Sequence, residues 1–415
     1  MTKKTRADSF LADFAQLAQF GATGRGGIDR QAATPADIEA RRWLSELLER
    51  QGLAVDCDAA GNQFGRLELA GDAPSVLVGS HLDSQPTAGR FDGAYGVLAA
   101  AYAAFEVARR VQAGELSPRL NLAVVNWFNE EGCRFQPSMM GSACYTGTYP
   151  LDALHSARDS AGVTVREALA GADCLGERPG PRAACAAEIH IEQGRGLEES
   201  GHQIGLVEAT WAARKYVVEV VGEQAHSGSA LMVDRRDALY GAALIILAAR
   251  QLADGSAGAL HAGVGQIEVY PNSPVVVPSR VRLLLDLRSP DQTVLDAAGA
   301  ALEQRFAEAE AAARVEVRQT LSHAWDVNPY QAEGLALAER CAKRLALRHR
   351  RLMTVAGHDS TNLKELVPTV MLFVPSAQGV SHNEAEFTHD ADLLAGLAML
   401  TEVVSELVAG ALAAD

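Results

Sequence analysis

The stretch from Ser75 to Gly96 constrains the fold most, because an apolar segment ends there in ionisable side chains. Its first part, Val76 to Val78, is typical of a strand buried in a parallel sheet. His81, Asp83 and Asp92 follow where the apolar pattern stops. In open α/β sheets, ligands bind at the carboxyl ends of the strands. The stretch therefore predicts a functional site at the carboxyl edge of a largely parallel sheet.

Three more strand-like segments end in the same way. The apolar residues 120–127 lead into Glu130 and Glu131. A short β-like segment precedes His190, and another apolar segment lies shortly before His382. Each segment alone is compatible with an ordinary solvated loop. Together, however, the four segments place His, Asp or Glu at or after four strand ends, and this combination predicts a metal site.

The predicted metal site has enough ligands for two ions. Five side chains could hold them: His81, Asp92, Glu131, His190 and His382. A carboxylate can bridge two cations about 3.5–4 Å apart. Neutral imidazole and carboxylate are ligands of Zn2+ and its first-row neighbours, so Mn2+, Co2+ or Ni2+ would also fit.

Two further carboxylates lie beside the predicted ligands. Adjacent side chains at a strand end point in different directions, so Glu131 can bind metal while Glu130 faces the attacking water as a general base. Asp83 lies two residues after His81 and hence on the same side of an extended strand. We expect Asp83 to orient the His81 imidazole.

Composition narrows the class of protein. The 415 residues, with 48% hydrophobic and 21% charged residues, are typical of a soluble globular protein with two domains. A formal net charge of -15 argues against nucleic acid and anionic membranes as partners. The six cysteines form no C-x-x-C pair, no apolar segment follows the N-terminus, and no apolar run is long enough to cross a bilayer. We therefore expect no signal peptide and a cytoplasmic protein.

The order of the elements predicts an α/β fold with an insertion. Strand–helix–strand alternation in residues 1–211 indicates a mostly parallel sheet flanked by helices. Residues 212–326 show the order strand–helix–strand–strand–helix–strand, which is typical of a ferredoxin-like α+β unit. We therefore expect a catalytic metal-binding domain, formed by residues 1–211 and 327–415, with an inserted domain at 212–326.

Taken together, these motifs resemble those of the M20 metallohydrolases. More narrowly, they resemble the hydantoinase/carbamoylase amidases, a branch with N-carbamoyl-L-amino-acid hydrolases, allantoate amidohydrolases and β-ureidopropionases. The resemblance covers nearly the whole chain. The matching motifs are His81-x-Asp83, Gly89-x-Phe91-Asp92-Gly93, Asn129-Glu130-Glu131-Gly132, His190-Ile-Glu-Gln193-Gly and Ser381-His382-Asn383.

The resemblance implies how the two ions share the ligands. The sets would be His81, Asp92 and His190 for one metal, and Asp92, Glu131 and His382 for the other. It also implies that Glu130 acts first as general base and then as general acid. The substrate would be a small molecule that bears a carboxylate.

The inserted domain is implied to be a lid and dimerisation module, so we expect a homodimer. His226, within the motif at 222–228, would reach the active site of the partner subunit and stabilise the developing oxyanion. Arg288 matches the lid arginine that holds the substrate carboxylate, a role suited to guanidinium. Gln193 and His358 are also expected to contact the substrate.

One position departs from the pattern of the family. Where the lid usually carries an asparagine that contacts substrate, this chain has Val275, and Ser279 replaces a nearby glycine. Valine offers no hydrogen bond, and a site discriminates strongly when a polar partner is lost. We therefore expect a substrate with a more apolar or differently shaped tail.

These observations predict a dinuclear metal-dependent amidohydrolase that cleaves the carbamoyl C–N bond of N-carbamoyl-L-amino acids or a related ureido or amide compound. The alternatives within the family are an N-acyl-amino-acid deacylase, a dipeptidase and an allantoate amidohydrolase. A non-catalytic binding protein would have lost the base or a ligand, and all six positions are present. A thiol enzyme based on Cys133 is disfavoured because no histidine lies at a suitable position near it.

Overall fold

The chain divides after Glu208 and before Tyr330 in the computed structural model, which describes residues 5–413. The larger unit contains the residues up to Glu208 and those from Tyr330 onwards, and the smaller unit is Ala209–Pro329. Residues 1–4 lie outside the described residues. They belong to the N-terminal segment in which we expect no signal peptide. Within residues 5–413, no helix is both long and apolar enough to cross a bilayer.

The elements are numbered in chain order. The α-helices are α1 (Arg6–Leu17), α2 (Pro35–Arg50), α3 (Ala94–Gln112), α4 (Met140–Tyr145), α5 (Leu151–Ser156), α6 (Val165–Gly171), α7 (Gly196–Ser200), α8 (Ala238–Asp254), α9 (Gln292–Ala313), α10 (Ala332–Arg344), α11 (Asp359–Leu363) and α12 (Asp390–Val408). The strands are β1 (Ala54–Cys57), β2 (Gln63–Leu67), β3 (Ser75–His81), β4 (Asn121–Trp127), β5 (Ala183–Ile191), β6 (Ile204–Thr210), β7 (Ala212–Val221), β8 (Ala225–His226), β9 (His261–Tyr270), β10 (Val276–Val277), β11 (Arg280–Ser289), β12 (Glu316–Trp325), β13 (Asn328–Pro329), β14 (His349–Thr354) and β15 (Thr369–Val374).

A mixed sheet with a parallel centre forms the larger unit. Its strand order is β1-β2-β4-β3-β5-β15-β6, and β14 also pairs with β6. The central strands β4, β3, β5 and β15 run parallel, whereas β1, β2 and β6 make antiparallel pairs. The predicted α/β architecture with a largely parallel sheet is confirmed.

Helices cover both faces of this sheet, as its near-continuous apolar strands require. In β3, Val76 packs into the core that contains α3 and α12, and Leu77 packs with Trp127 on the opposite face. The alanine-rich α3 approaches the sheet closely, since a Cβ on Gly96 would lie 2.3 Å from the carbonyl oxygen of Ile189. This close packing fixes β5, the strand that carries His190.

Parallel pairing brings the carboxyl ends of the strands to one edge. His81 pairs with Trp127 at the ends of β3 and β4, and His190 pairs with Phe373 near the ends of β5 and β15. The loops that follow these strands therefore start side by side.

The smaller unit is an antiparallel sheet with two long helices, α8 and α9. Its strand order, β12-β7-β11-β9, is that of a ferredoxin-like unit. One face of β11, including Leu283 and Leu285, is buried in the core of this unit. A separate ribbon pairs His226 of β8 with Val276 of β10. The unit is slightly longer than the predicted segment 212–326.

Candidate metal centre

Asp92 is the carboxylate around which the imidazoles of the larger unit gather. Its Oδ1 lies 3.5 Å from Nε2 of His81 and 3.0 Å from Nε2 of His190. Its Oδ2 lies 3.3 Å from Nε2 of His382, and that nitrogen is 3.5 Å from Oε2 of Glu131. Two groups of three possible ligands thus share Asp92, and the ligand atoms of each group lie within 4.8 Å of one another.

Backbone carbonyls orient the two buried imidazoles. Nδ1 of His81 lies 2.9 Å from the carbonyl oxygen of Asp83, and Nδ1 of His190 lies 2.9 Å from that of Ile191. Because a carbonyl can only accept, each Nδ1 donates its proton to a carbonyl, which leaves Nε2 as the ring atom that can bind a metal. Both Nε2 atoms face Asp92, so both can be offered to a metal.

The carboxylate of Asp83 has a different partner from the one predicted. Its Oδ1 lies 3.7 Å from Nδ1 of His81, whereas the two carboxylate oxygens accept hydrogen bonds from the backbone N–H groups of Glu130 and Glu131 at 3.1 and 3.2 Å. The prediction assumed a strand that continues to Asp83, but β3 ends at His81. Asp83 therefore orients His81 through its carbonyl and holds the Glu130–Glu131 turn through its side chain.

Glu130 lies beside both ligand groups without belonging to either. Its Oε2 is 3.6 Å from Nε2 of His81, and the residue is 7% exposed. Burial raises the pKa of Glu130 well above its usual range; His81 opposes that rise, and the carboxylates of Asp359 and Glu131 add to it. A carboxyl group with a raised pKa can hold a proton near neutral pH.

The charges of the two ligand groups are strongly coupled. Burial alone would raise the pKa of Asp92, but the imidazoles of His190, His382 and His81 hold that pKa well below its usual range. Burial and the charge of Asp92 raise the pKa of Glu131 to about 7. Although burial opposes it, the hydrogen bond to Asp92 and the charge of Glu131 raise the pKa of His382 to about 9.

The ligand set fits a divalent cation. Nitrogen and carboxylate donors lie 3.0–3.5 Å apart around Asp92. That spacing matches the edge of about 3.3 Å of a tetrahedron with metal–ligand bonds of about 2.0 Å. A cation would also relieve the repulsion between Asp92 and Glu131 that raises the pKa of Glu131.

Gln193 and His358 also lie beside this centre. Nε2 of Gln193 donates to Oδ2 of Asp92 at 2.7 Å and to Oγ of Ser381 at 3.2 Å. Its Oε1 is buried and has no hydrogen-bond partner among residues 5–413. His358 is 2% exposed, and its ring centroid lies 4.5 Å from that of His190. His358 therefore packs against a candidate ligand, and its contact with substrate stays a prediction.

The remaining predicted residues belong to the smaller unit. On β11, Nε and Nη2 of Arg288 donate to Oδ2 of Asp286 at 3.0 and 2.7 Å. On β8, Nδ1 of His226 accepts hydrogen bonds from the backbone N–H groups of Gly228 and Ser229 at 3.0 and 3.1 Å. An Nδ1 that accepts leaves the proton on Nε2, so the exposed His226 ring presents an N–H donor.

Two residues that hold the centre were missed in the sequence. Glu386 accepts hydrogen bonds from the backbone N–H groups of Phe91 and Asp92, and Gln85 donates to Oε2 of Glu131 at 2.9 Å. Both lie in loops, where no strand or helix periodicity indicates the direction of a side chain. An acidic residue close to His382 was the one feature that could have pointed to Glu386.

The sequence profile of the Peptidase family M20/M25/M40 matches residues 77–406. The chain belongs to this family. The resemblance predicted from the motifs is thereby confirmed, and the chain is an M20-family hydrolase.

Relatives and solved structures agree with this assignment to the M20 family. A Mycolicibacterium smegmatis protein whose name specifies only a hydrolase is 52% identical, over 98% of this chain and 94% of its own. An N-carbamoyl-L-amino acid amidohydrolase from Geobacillus stearothermophilus is 36% identical, over 95% of this chain and 97% of its own. A solved hydantoinase/carbamoylase family amidase from Burkholderia vietnamiensis has a TM-score of 0.91 and 35% identity, with 97% of both chains covered.

Replacing Gly93 by alanine should disrupt the metal centre. The added methyl group would lie 2.3–2.5 Å from three ring atoms of His81, and the φ of 61° at this position disfavours any side chain. A displaced ligand typically costs about 10–100-fold in metal affinity, which equilibrium dialysis with elemental analysis measures. In the matched variant Gly171→Ala the new Cβ meets no atom within 4 Å, so metal affinity should stay unchanged. Wild-type affinity in Gly93→Ala would contradict the placement of His81.

Proposed function

We propose that this chain is a two-metal amidohydrolase that cleaves the carbamoyl C–N bond of N-carbamoyl-L-amino acids or of a related ureido compound. One observation carries the proposal: Asp92 shares its two oxygens between two ligand groups, while the separate carboxyl of Glu130 lies 3.6 Å from His81. The name of the Geobacillus stearothermophilus relative supports the substrate class.

The proposed ligands belong to the larger unit. They are His81, Asp92 and His190 for one ion, and Asp92, Glu131 and His382 for the other. Zn2+ and Mn2+ suit this donor set, and Co2+ or Ni2+ is also compatible. When bound, such ions polarise a carbonyl oxygen and make water more acidic.

Glu130 is the proposed proton carrier. Its carboxylate takes a proton from the attacking water and later gives it to the leaving nitrogen. Its carboxyl lies 3.6 Å from His81 and belongs to neither ligand group, so it stays free to carry this proton. Asp83 accepts the backbone N–H of Glu130 and so fixes the turn from which this side chain projects.

His226 is the proposed donor to the oxyanion that develops on the scissile carbonyl. The two backbone N–H groups at Nδ1 keep the proton on Nε2, which is the donor that an oxyanion needs. In this proposal the protein is a homodimer, and the His226 that serves each centre belongs to the other subunit.

Substrate binding is assigned to two polar side chains. The guanidinium of Arg288, which here pairs with Asp286, can bind a substrate carboxylate through two parallel hydrogen bonds. The buried Oε1 of Gln193 lacks a partner in the part of the chain that is described, and it can accept a hydrogen bond from a substrate N–H. Gln193 thus links the substrate to the ligand Asp92.

Val275 shapes the proposed substrate preference. Its carbonyl oxygen accepts the backbone N–H of Ser227 at 2.9 Å, next to the strand pair of His226 and Val276. Its side chain is 57% exposed and offers an apolar surface to whatever lies against it. We therefore expect substrates with apolar side chains to be preferred over allantoate, which is polar throughout.

The proposed reaction is tested with matched N-carbamoyl and N-acyl L-amino acids and with allantoate. Protein reconstituted with Mn2+ or Zn2+ should release ammonia and free amino acid in equal amounts from the carbamoyl compounds. Ammonia and amino acid are quantified in the same sample. Free amino acid from N-acyl substrates without ammonia would instead identify a deacylase or peptidase. Allantoate turnover that rivals the best carbamoyl compound would contradict the proposed role of Val275.

Replacing Glu130 by glutamine should lower kcat by about 10²–10⁴-fold, because proton transfer is lost. Metal content should stay at the wild-type value, since Glu130 belongs to neither ligand group. Elemental analysis and steady-state kinetics on the same preparation provide both readouts. The comparison variant Glu131→Gln should lose metal as well as activity. Near wild-type turnover in Glu130→Gln would exclude this residue as the general base.

Mixed dimers of His226→Ala and Glu130→Ala should regain part of the activity that each variant lacks. In such a dimer, one centre receives an intact Glu130 from its own subunit and an intact His226 from the other. Subunits with different affinity tags allow the mixed dimer to be purified and assayed. Purified mixed dimers without any recovered activity would rule out sharing of the site between subunits.

A further inference from the structure

Glu386 is a buried carboxylate that the proposed reaction does not use. It is 4% exposed, and its Oε1 accepts the backbone N–H groups of Phe91 and Asp92 at 2.9 and 3.1 Å. The chain packs so closely around this carboxylate that a Cβ on Gly89 would lie 2.1 Å from Oε1. Glu386 therefore anchors the backbone of the shared ligand Asp92.

The other oxygen of Glu386 anchors a second ligand loop. The hydroxyl of Ser381 lies 2.8 Å from Oε2 of Glu386 and 3.1 Å from Oδ2 of Asp92. The next residue in the chain is His382. Glu386 thus connects two loops that are remote in sequence, and each loop carries a proposed ligand of the second ion.

The second metal position depends on these loops more than the first. The side chains of His81 and His190 are 2% and 1% exposed, and both residues lie at the carboxyl ends of central strands. The side chain of His382 is 47% exposed, and its residue adopts a φ of 53°, a conformation that costs free energy unless neighbours hold it. Packing and hydrogen bonds to backbone carbonyls hold the two histidines of the first position, whereas the second position needs an anchor for the loop of His382.

We propose that Glu386 is a positioning residue for the second metal position, where it aligns the Asp92 carboxylate with the loop of Ser381 and His382 and so sets the affinity of that ion. The inference rests on the proposed function, because it requires two ions on either side of Asp92. Partners that orient metal ligands typically contribute about 10–100-fold to metal affinity.

The test counts the Mn2+ bound by full-length protein in equilibrium dialysis with elemental analysis. Wild type should bind two ions per chain. Glu386→Ala should bind the second ion about 10–100-fold more weakly and the first with a smaller loss, because both positions use Asp92 but only the second also uses the loop of His382. In the His382→Ala background, which already lacks the second position, Glu386→Ala should show only the smaller loss at the first ion.

Three variants distinguish positioning from a general effect on folding. In Glu386→Gln the amide oxygen can still accept the two backbone N–H groups and the amide nitrogen can donate to Ser381, so the affinity for the second ion should largely recover. Ser381→Ala should weaken the second ion alone. Asp58→Asn is the matched control, because Asp58 is 7% exposed and accepts the backbone N–H groups of Ala60 and Asn62, both at 2.9 Å. It should leave both affinities unchanged.

Each result decides the inference. Equal weakening of both ions in Glu386→Ala, or an unchanged second ion in both Glu386→Ala and Ser381→Ala, would overturn it while the two ions of wild type uphold the proposed function. If Glu386→Ala does not fold, Ser381→Ala and Glu386→Gln decide the inference. An unchanged second ion in Ser381→Ala, or equal weakening of both ions in Glu386→Gln, would then overturn it. A wild-type protein that binds fewer than two ions would contradict the proposed function and the inference together.

Discussion

The candidate metal centre is built around Asp92, whose two oxygens face different imidazoles. Oδ1 faces His81 and His190, and Oδ2 faces His382. Burial by itself would favour a protonated, neutral Asp92, and the three imidazoles reverse that preference. A carboxylate kept charged in a buried position attracts cations strongly, because the low local dielectric screens it poorly. The loops, glycines and buried hydrogen bonds around Asp92 serve to keep both oxygens available.

The larger unit supplies the rigidity that this arrangement needs. Parallel strands deliver His81, Glu130 and His190 to one edge, and the close approach of α3 leaves no space for a side chain at Gly96. The rigidity is uneven across the centre. The first ligand group is enclosed by the sheet and its helices, whereas the second includes an exposed imidazole held by loop hydrogen bonds. A centre with one enclosed and one accessible metal position can retain the ion in the enclosed position while substrate reaches the accessible one.

Local patterns pointed to the side chains that the structure brings together around Asp92, because each of them lies at or after the carboxyl end of a strand whose apolar pattern stops abruptly. At Asp83 they indicated the partner, His81, but not the carbonyl that contacts it, because β3 has already ended and alternation no longer indicates the direction of a side chain. They also failed at Glu386, whose backbone partners Phe91 and Asp92 lie almost three hundred residues away in sequence. Such contacts depend on how loops fold against each other. The strand order of the smaller unit followed from element order alone. Its strands β7, β11 and β12 extend past the residues of the apolar core, because their pairing continues beyond that core.

In the proposed centre, one carboxylate, that of Asp92, bridges two metal positions. Crystals of the protein grown with Mn2+ and measured at the manganese absorption edge test it most directly. We expect two anomalous peaks about 3.5–4 Å apart, one on each side of the Asp92 carboxylate. The peak beside His81 and His190 should be the stronger, because that position is the more enclosed. A single peak, or two peaks that do not share Asp92, would contradict the account.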